Sequence, residues 1–118
     1  MCMQLKRFEY DPERNSMVKL NDRFEFSTTL DLSRFVVDGS QYSNESCGNQ
    51  YVLHSVLVHS GSVYGGHYYA YIAPNPLQDN ERWYKFDDDM VTVVSKKQAV
   101  DAHFGGMMTH THTHTHSY

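Results

Sequence analysis

Cysteine is scarce: only Cys2 and Cys47 occur among 118 residues, and no CxxC spacing exists. That removes a disulfide framework and a cysteine-built zinc site from consideration. Long apolar runs are missing too. The longest covers residues 68–73, far short of the roughly 20 residues a membrane helix needs. Positive charge is thin, with ten Lys and Arg against 14 Asp and Glu and a net charge of -4. No basic stripe is available to hold a phosphate backbone, so nucleic-acid binding is disfavoured. The amino-terminal residues run straight to Lys6-Arg7 without the apolar stretch of a signal peptide. The chain therefore reads as intracellular, with no membrane partner.

What remains is ample for one small packed domain: 40% hydrophobic residues, 20% charged, and 14% aromatic with nine Tyr. Tyrosine-rich sequence suits strands or a protein-contact surface. Residues 3–10 alternate imperfectly and read as a strand. Asp11-Pro12-Glu13-Arg14-Asn15 reads as a turn, because Asp and Asn bond their own backbone and Pro fixes φ. Short strands are expected at 17–20 and 23–26, and a helical turn or anchored loop at 30–35. Residues 38–50 shift to Ser, Asn, Gly and Gln and mark an exposed loop. Residues 51–60 are apolar on both faces and predict a central, doubly covered strand. A glycine-rich connection (61–66) leads to a strand at 67–73, then a loop at 74–81 and strands at 82–87 and 91–94. A helix is expected over 95–103, with Ser95 as N-cap and Gly105 beyond its end. The outcome is a mostly antiparallel sheet with little helix.

One pair of strands has arithmetic that bears on chemistry. If Ile72 lies opposite Arg82, paired numbers sum to 154 and His67 faces Asp87. Opposed Cβ atoms are about 4.5–5.5 Å apart, within reach of a carboxylate–imidazole bond. A slip by one residue would bring in Asp88 instead. Such a pair can fix an imidazole tautomer so that the other nitrogen takes a proton from a nucleophile. The same spacing also fits a structural histidine satisfied at a sheet end. Neither cysteine is a good nucleophile for it. Cys47 lies beyond the far end of a ten-residue strand, roughly 33 Å away, and reads as a loop thiol. Cys2 lacks a helix start that would orient it and lower its pKa.

Taken together, the run from Tyr51 to Gly61 (YVLHSVLVHSG), Gly65-Gly66-His67-Tyr68-Tyr69-Ala70-Tyr71 and Trp83-Tyr84-Lys85-Phe86-Asp87-Asp88-Asp89 resemble the histidine box of ubiquitin-specific proteases. The stretches Leu5-Lys6-Arg7-Phe8-Glu9-Tyr10-Asp11-Pro12 and Lys19-Leu20-Asn21-Asp22-Arg23-Phe24-Glu25-Phe26 are similar to the branch that includes ubiquitin-specific protease 7 and its plant relatives. The likeness covers residues 3–106. It implies an α+β, mostly antiparallel β fold: part of a papain-like cysteine protease, its palm and fingers portion, that cleaves after the Gly-Gly terminus of ubiquitin.

Carried over by position, the resemblance makes His67 the general base and Asp87 its orienting partner, with Asp88 an auxiliary or substitute. It places Arg7, Phe8, Lys19, Tyr64, Gly65, Gly66 and Tyr68 along the channel for the ubiquitin tail, with Tyr64 standing where the nearest relatives carry His. Gly65 and Gly66 lack side chains, so an extended peptide can approach their backbone. The family's cysteine box and closing strand have no counterpart, and zinc-binding CxxC pairs are absent from the fingers region. Residues 1–106 therefore read as the carboxyl-terminal portion of a catalytic domain and 107–118 as a low-complexity Thr-His tail. The implied partners are ubiquitin and ubiquitinated proteins, in nucleus or cytoplasm, with no cofactor. Without a thiolate such a dyad has nothing to deprotonate, so the chain alone is expected to be inactive. The alternative reading is a non-catalytic module that binds the ubiquitin tail.

Smaller features keep their structural readings. His59 is expected to bond the loop backbone, His54 to sit satisfied in the core, and His103 to be solvated or to face the helix dipole. The four imidazoles of the Thr-His tract could take up Zn, Cu or Ni adventitiously. The Asp87-Asp88-Asp89 run is not expected to converge on a cation, because strand neighbours alternate faces. Leu53 and Leu57 are expected to risk exposure.

Overall fold

A computed structural model describes residues 1–35 and 49–106. The loop thiol Cys47, most of the 38–50 loop and the Thr-His tail lie outside the described residues. The chain opens with a hairpin of β1 (Phe8–Asp11) and β2 (Ser16–Lys19), in register Phe8 to Lys19. Its turn forms as the sequence predicts. Asp11 Oδ1 accepts the backbone N–H of Glu13 at 2.9 Å and of Arg14 at 3.2 Å, and Asn15 takes the left-handed conformation at φ 47°. The strand begins at Phe8 rather than residue 3 because its partner runs out there. One further bond, Leu20 N–H to Arg7 O at 2.7 Å, closes the ladder.

A second small ladder joins β3 (Thr29–Asp31) to β4 (Gln50–Val52), and a 3-10 turn follows β3 at Ser33–Phe35. The main sheet is an antiparallel meander of β5 (Ser55–Ser62), β6 (Gly65–Ile72), β7 (Trp83–Asp87) and β8 (Met90–Val94), in that spatial order. Two of its hairpins are tight. Val63-Tyr64 links β5 to β6, and Asp88-Asp89 links β7 to β8 with Asp88 at φ 51°, a conformation Asp tolerates better than most residues.

Period-two alternation sorts the sheet's side chains into two unlike faces. One carries Tyr71 and Trp83, which form the buried core with Ala73, Ala99 and Val100. Phe26, Leu53, Val56, Val58, Tyr69, Val94 and Phe104 pack around it. The helix α1 (Lys96–Ala99) closes this side. Ser95 caps it, accepting from Gln98 N–H while the Gln98 side chain bonds back to the Ser95 N–H. The opposite face shows Leu57, Phe86, Val91 and Val93 to solvent, Leu57 at 72% exposure.

Several expectations change. Residues 51–60 are not one covered strand. They divide into β4 and β5 at Leu53-His54, and among the described residues β5 is a sheet edge. Only one of its faces meets the core, so Leu57 is exposed while Leu53 packs inward; His54 is exposed between the strands rather than satisfied in the core. Residues 23–26 form no strand, because the partner of Phe24 N–H is the carbonyl of Phe104, in a 3-10 turn's wake. The expected nine-residue helix shortens to α1 and a 3-10 turn at Asp101–His103. Val100 caps α1 at φ -115°, its N–H bonded to Lys96 O and its side chain buried.

Candidate active site

The β6–β7 register pairs Ala70 with Phe86, Tyr71 with Lys85 and Ile72 with Tyr84. These numbers sum to 156 rather than 154, a slip of two. A two-residue slip preserves the face on which each side chain lies, so His67 and Asp87 stay on one face as diagonal neighbours. Diagonal neighbours are within reach of a ring and a carboxylate. His67 Nε2 lies 2.5 Å from Asp87 Oδ1, and 4.0 Å from Asp88 Oδ2. Asp87 ends β7, and the left-handed Asp88 turns the chain so that its carboxylate comes back toward the imidazole. Three donor groups converge here, which strand alternation alone does not predict, because the strand stops at Asp87.

The contact fixes the chemistry of the ring. With Nε2–H donating to Asp87, the neutral imidazole leaves Nδ1 free as the proton acceptor. The hydrogen bond to Asp87 holds the His67 pKa above its ordinary 6.5; partial desolvation opposes this, and the nearby Asp88 charge adds to it. The Asp87 carboxyl is lowered, first by a hydrogen bond from Lys85 and then by the one from His67. The histidine is about half exposed and thus open to a reacting group.

Lys85 is the residue sequence reading passed over. Its Nζ donates to Asp87 Oδ2 at 2.5 Å. The available signal was its i, i+2 spacing from Asp87, which puts both on one strand face. His103 also differs from expectation. Instead of being solvated it packs 4.8 Å from the Tyr71 ring, with its pKa lowered by burial.

A depression of about 410 Å³ lies at the same end of β6, lined by Phe8, Met17, His59, Ser62, Val63, Tyr64, Gly65, Gly66 and Tyr68. Five expected tail-channel residues thus meet: Phe8, Tyr64, Gly65, Gly66 and Tyr68. The His59 ring sits between Phe8 (5.2 Å, edge-on) and Tyr68 (4.7 Å), rather than bonding the loop backbone. Gly66 is required by this packing, since a Cβ there would stand 2.1 Å from His59 Nε2 and 2.5 Å from Ser60 O. Gly65 is different: a Cβ there would meet nothing within 4 Å. Arg7 and Lys19 lie outside the lining. Arg7 donates to Leu20 O (3.3 Å), Asp22 O (2.9 Å) and Phe104 O (3.3 Å), tying the first hairpin to the carboxyl-terminal segment. Lys19 Nζ donates to His59 O and Gly61 O, each at 2.9 Å. Cys2, the one cysteine among the described residues, is exposed and belongs to no strand or helix.

The mostly antiparallel sheet with one short helix is consistent with part of a papain-like fold. The family model for ubiquitin carboxyl-terminal hydrolase matches residues 1–116, and the chain belongs to that family. It is 55% identical over 107 residues to ubiquitin C-terminal hydrolase 13 of Arabidopsis thaliana, covering 88% of this chain and 9% of that protein. It is 46% identical over 105 residues to ubiquitin carboxyl-terminal hydrolase 7 of Drosophila melanogaster, covering 89% and 9%. The chain thus spans about a tenth of the length of these relatives. Among solved structures it is similar to the SAGA Ubp8/Sgf11/Sus1/Sgf73 DUB module bound to ubiquitin aldehyde. There the TM-score is 0.63 and the identity 30%, over 82% of this chain and 21% of that one. No helix among the described residues is long and apolar enough to cross a membrane.

Proposed function

We propose that residues 1–106 are the carboxyl-terminal portion of a thiol-dependent deubiquitinase catalytic domain, and that they supply the base and orienting acid of its triad. The observation that carries this reading is the 2.5 Å bond from His67 Nε2 to Asp87 Oδ1 in a chain of this family. In this mechanism His67 Nδ1 takes the proton of a cysteine thiol contributed from outside the chain. The thiolate attacks the carbonyl carbon of the last ubiquitin glycine. His67 then gives the proton to the departing amine as the carbon–nitrogen bond breaks. Water, deprotonated by the same nitrogen, releases the acyl group and restores the thiol. Asp87 keeps the proton on Nε2 and steadies the imidazolium, and Asp88 adds negative potential from 4.0 Å.

The ubiquitin tail occupies the depression beside Gly65, where open space meets an unshielded backbone. Tyr64 and Tyr68, both exposed, offer amphipathic walls for an extended peptide. Arg7 and Lys19 support this channel at one remove, through the carbonyls they hold in place. Ubiquitin and ubiquitinated proteins are the partners, in nucleus or cytoplasm.

The test is complementation. The chain is mixed with an amino-terminal segment of a relative that carries the family's cysteine box, and hydrolysis of a ubiquitin–amide substrate is followed. Turnover is expected, and His67→Ala is expected to abolish it while leaving ubiquitin affinity nearly unchanged. Persistent turnover in the alanine variant would show that another group is the base. The second reading is a ubiquitin-tail module without hydrolysis, and the observation that favours it is that Cys2, the one cysteine among the described residues, is exposed and outside any strand or helix. A ubiquitin probe with a thiol-reactive terminus separates the two. Binding without labelling of the isolated chain is expected, and labelling would overturn its inactivity.

A further inference from the structure

Asp87 has two carboxylate oxygens, and each engages a different nitrogen. Oδ1 takes His67 Nε2 and Oδ2 takes Lys85 Nζ, both at 2.5 Å. Lys85 is itself seated. Its Nζ stands 4.3 Å from the centre of the Tyr69 ring, a cation–π distance. Tyr69 packs edge-on against the buried Tyr71 at 5.7 Å, and His103 lies against both rings. Register places Lys85 directly opposite Tyr71, so the lysine stem runs along the aromatic row rather than into solvent. The ammonium is thereby held on the side of Asp87 away from the imidazole.

We propose that Lys85 tunes the dyad through Asp87: its ammonium, bonded to Oδ2, offsets part of the carboxylate's negative charge and so limits how far the imidazole is held protonated. A carboxylate with one cation partner would give all of its field to the imidazole and would leave His67 protonated over a wider pH range. A general base works best with its pKa close to the operating pH. Lys85 supplies that restraint, and it does so through Asp87 without touching a substrate. The inference rests on His67 being the general base.

The groups that bear on His67 are Asp87, Asp88 from the β7–β8 turn, Lys85 from β7, and Tyr69 from its own strand, with His103 behind Tyr69. Lysine is the sole cation in this set apart from the histidines. Its removal therefore has a definite sign, since nearby positive charge disfavours the imidazolium.

The experiment is an NMR titration of the His67 ring in the 118-residue chain, as wild type and as Lys85→Met, Lys85→Gln and Lys85→Arg. The Met and Gln variants are expected to raise the His67 pKa measurably, while Arg holds it near the wild-type value. Gln keeps a polar head, so it carries the same expectation if the Met variant does not fold. An unchanged or lowered His67 pKa in the neutral variants overturns the proposal, as does a rise in Arg equal to that in Met. The titration needs no turnover. An inactive complementation mixture would count against the catalytic reading while the role of Lys85 in setting the His67 titration stood or fell separately.

Discussion

At the scale of single residues, the site depends on which atom faces which. His67 gives one nitrogen to Asp87 and keeps the other free, and the hydrogen bond that fixes this also raises the ring's pKa. Asp87→Asn removes that cause while keeping the shape. The His67 pKa is expected to fall, read from ring-proton shifts. The two glycines beside it form a second residue-scale contrast. Gly66→Ala would press a methyl into His59 and the Ser60 carbonyl. We expect it to cost roughly 1–3 kcal/mol in denaturant unfolding, the range for overpacking. Gly65→Ala meets open space and is expected to leave stability unchanged while weakening ubiquitin affinity, measured by calorimetry. Equal stability losses in the two variants would remove the argument that Gly65 faces a ligand.

At the scale of elements, two tight hairpins and one capped turn do most of the positioning. The β5–β6 hairpin carries both the glycine pair and His67, and the β7–β8 hairpin ends at Asp87 and presents Asp88. The loop over 73–82 joins them, so the dyad spans two hairpins rather than one. The capping box at Ser95 starts the short helix that covers the core face behind Trp83. Ser95→Ala loses an N-cap and is expected to cost about 1 kcal/mol. Because α1 packs on β7, its fraying should also appear as faster amide exchange along Trp83–Asp87. The turn residue Asp11 and the cap Ser95 were legible in the sequence because each bonds its own neighbours, and Asn15 because it tolerates left-handed backbone. The extent of 23–26 was not, because the partner of the Phe24 N–H lies at Phe104; nor was that of 95–103, where α1 gives way to a 3-10 turn at the buried Val100.

At the scale of the whole molecule, five residues form the buried core among those described, and one sheet face remains apolar and open. So thin a core makes stability sensitive to a few titrating groups. His67, with its pKa raised, stabilises the fold fully below 6.5 and loses that contribution as pH rises through the folded value. His103, with its pKa lowered by burial, acts oppositely: stability is lost as pH falls from 6.5 toward its folded value. Stability measured against pH is therefore expected to peak near 6.5. His67→Ala should flatten the alkaline limb and His103→Leu the acidic one. A profile unaffected by either substitution would show that neither histidine couples to folding.

The sequence by itself determined the family, the antiparallel character and the turns, and it put His67 and Asp87 on one face. Motif order and two-residue periodicity survive a register slip of two, so the correct face was legible even though the opposed partners were not. The tertiary structure decided what depends on distant backbone. It placed β5 at an edge with Leu57 exposed, committed Arg7 and Lys19 to carbonyls, buried one side of His103, and gave Asp87 its second partner in Lys85. Those contacts are set by where hairpins pack against one another, which local alternation does not encode.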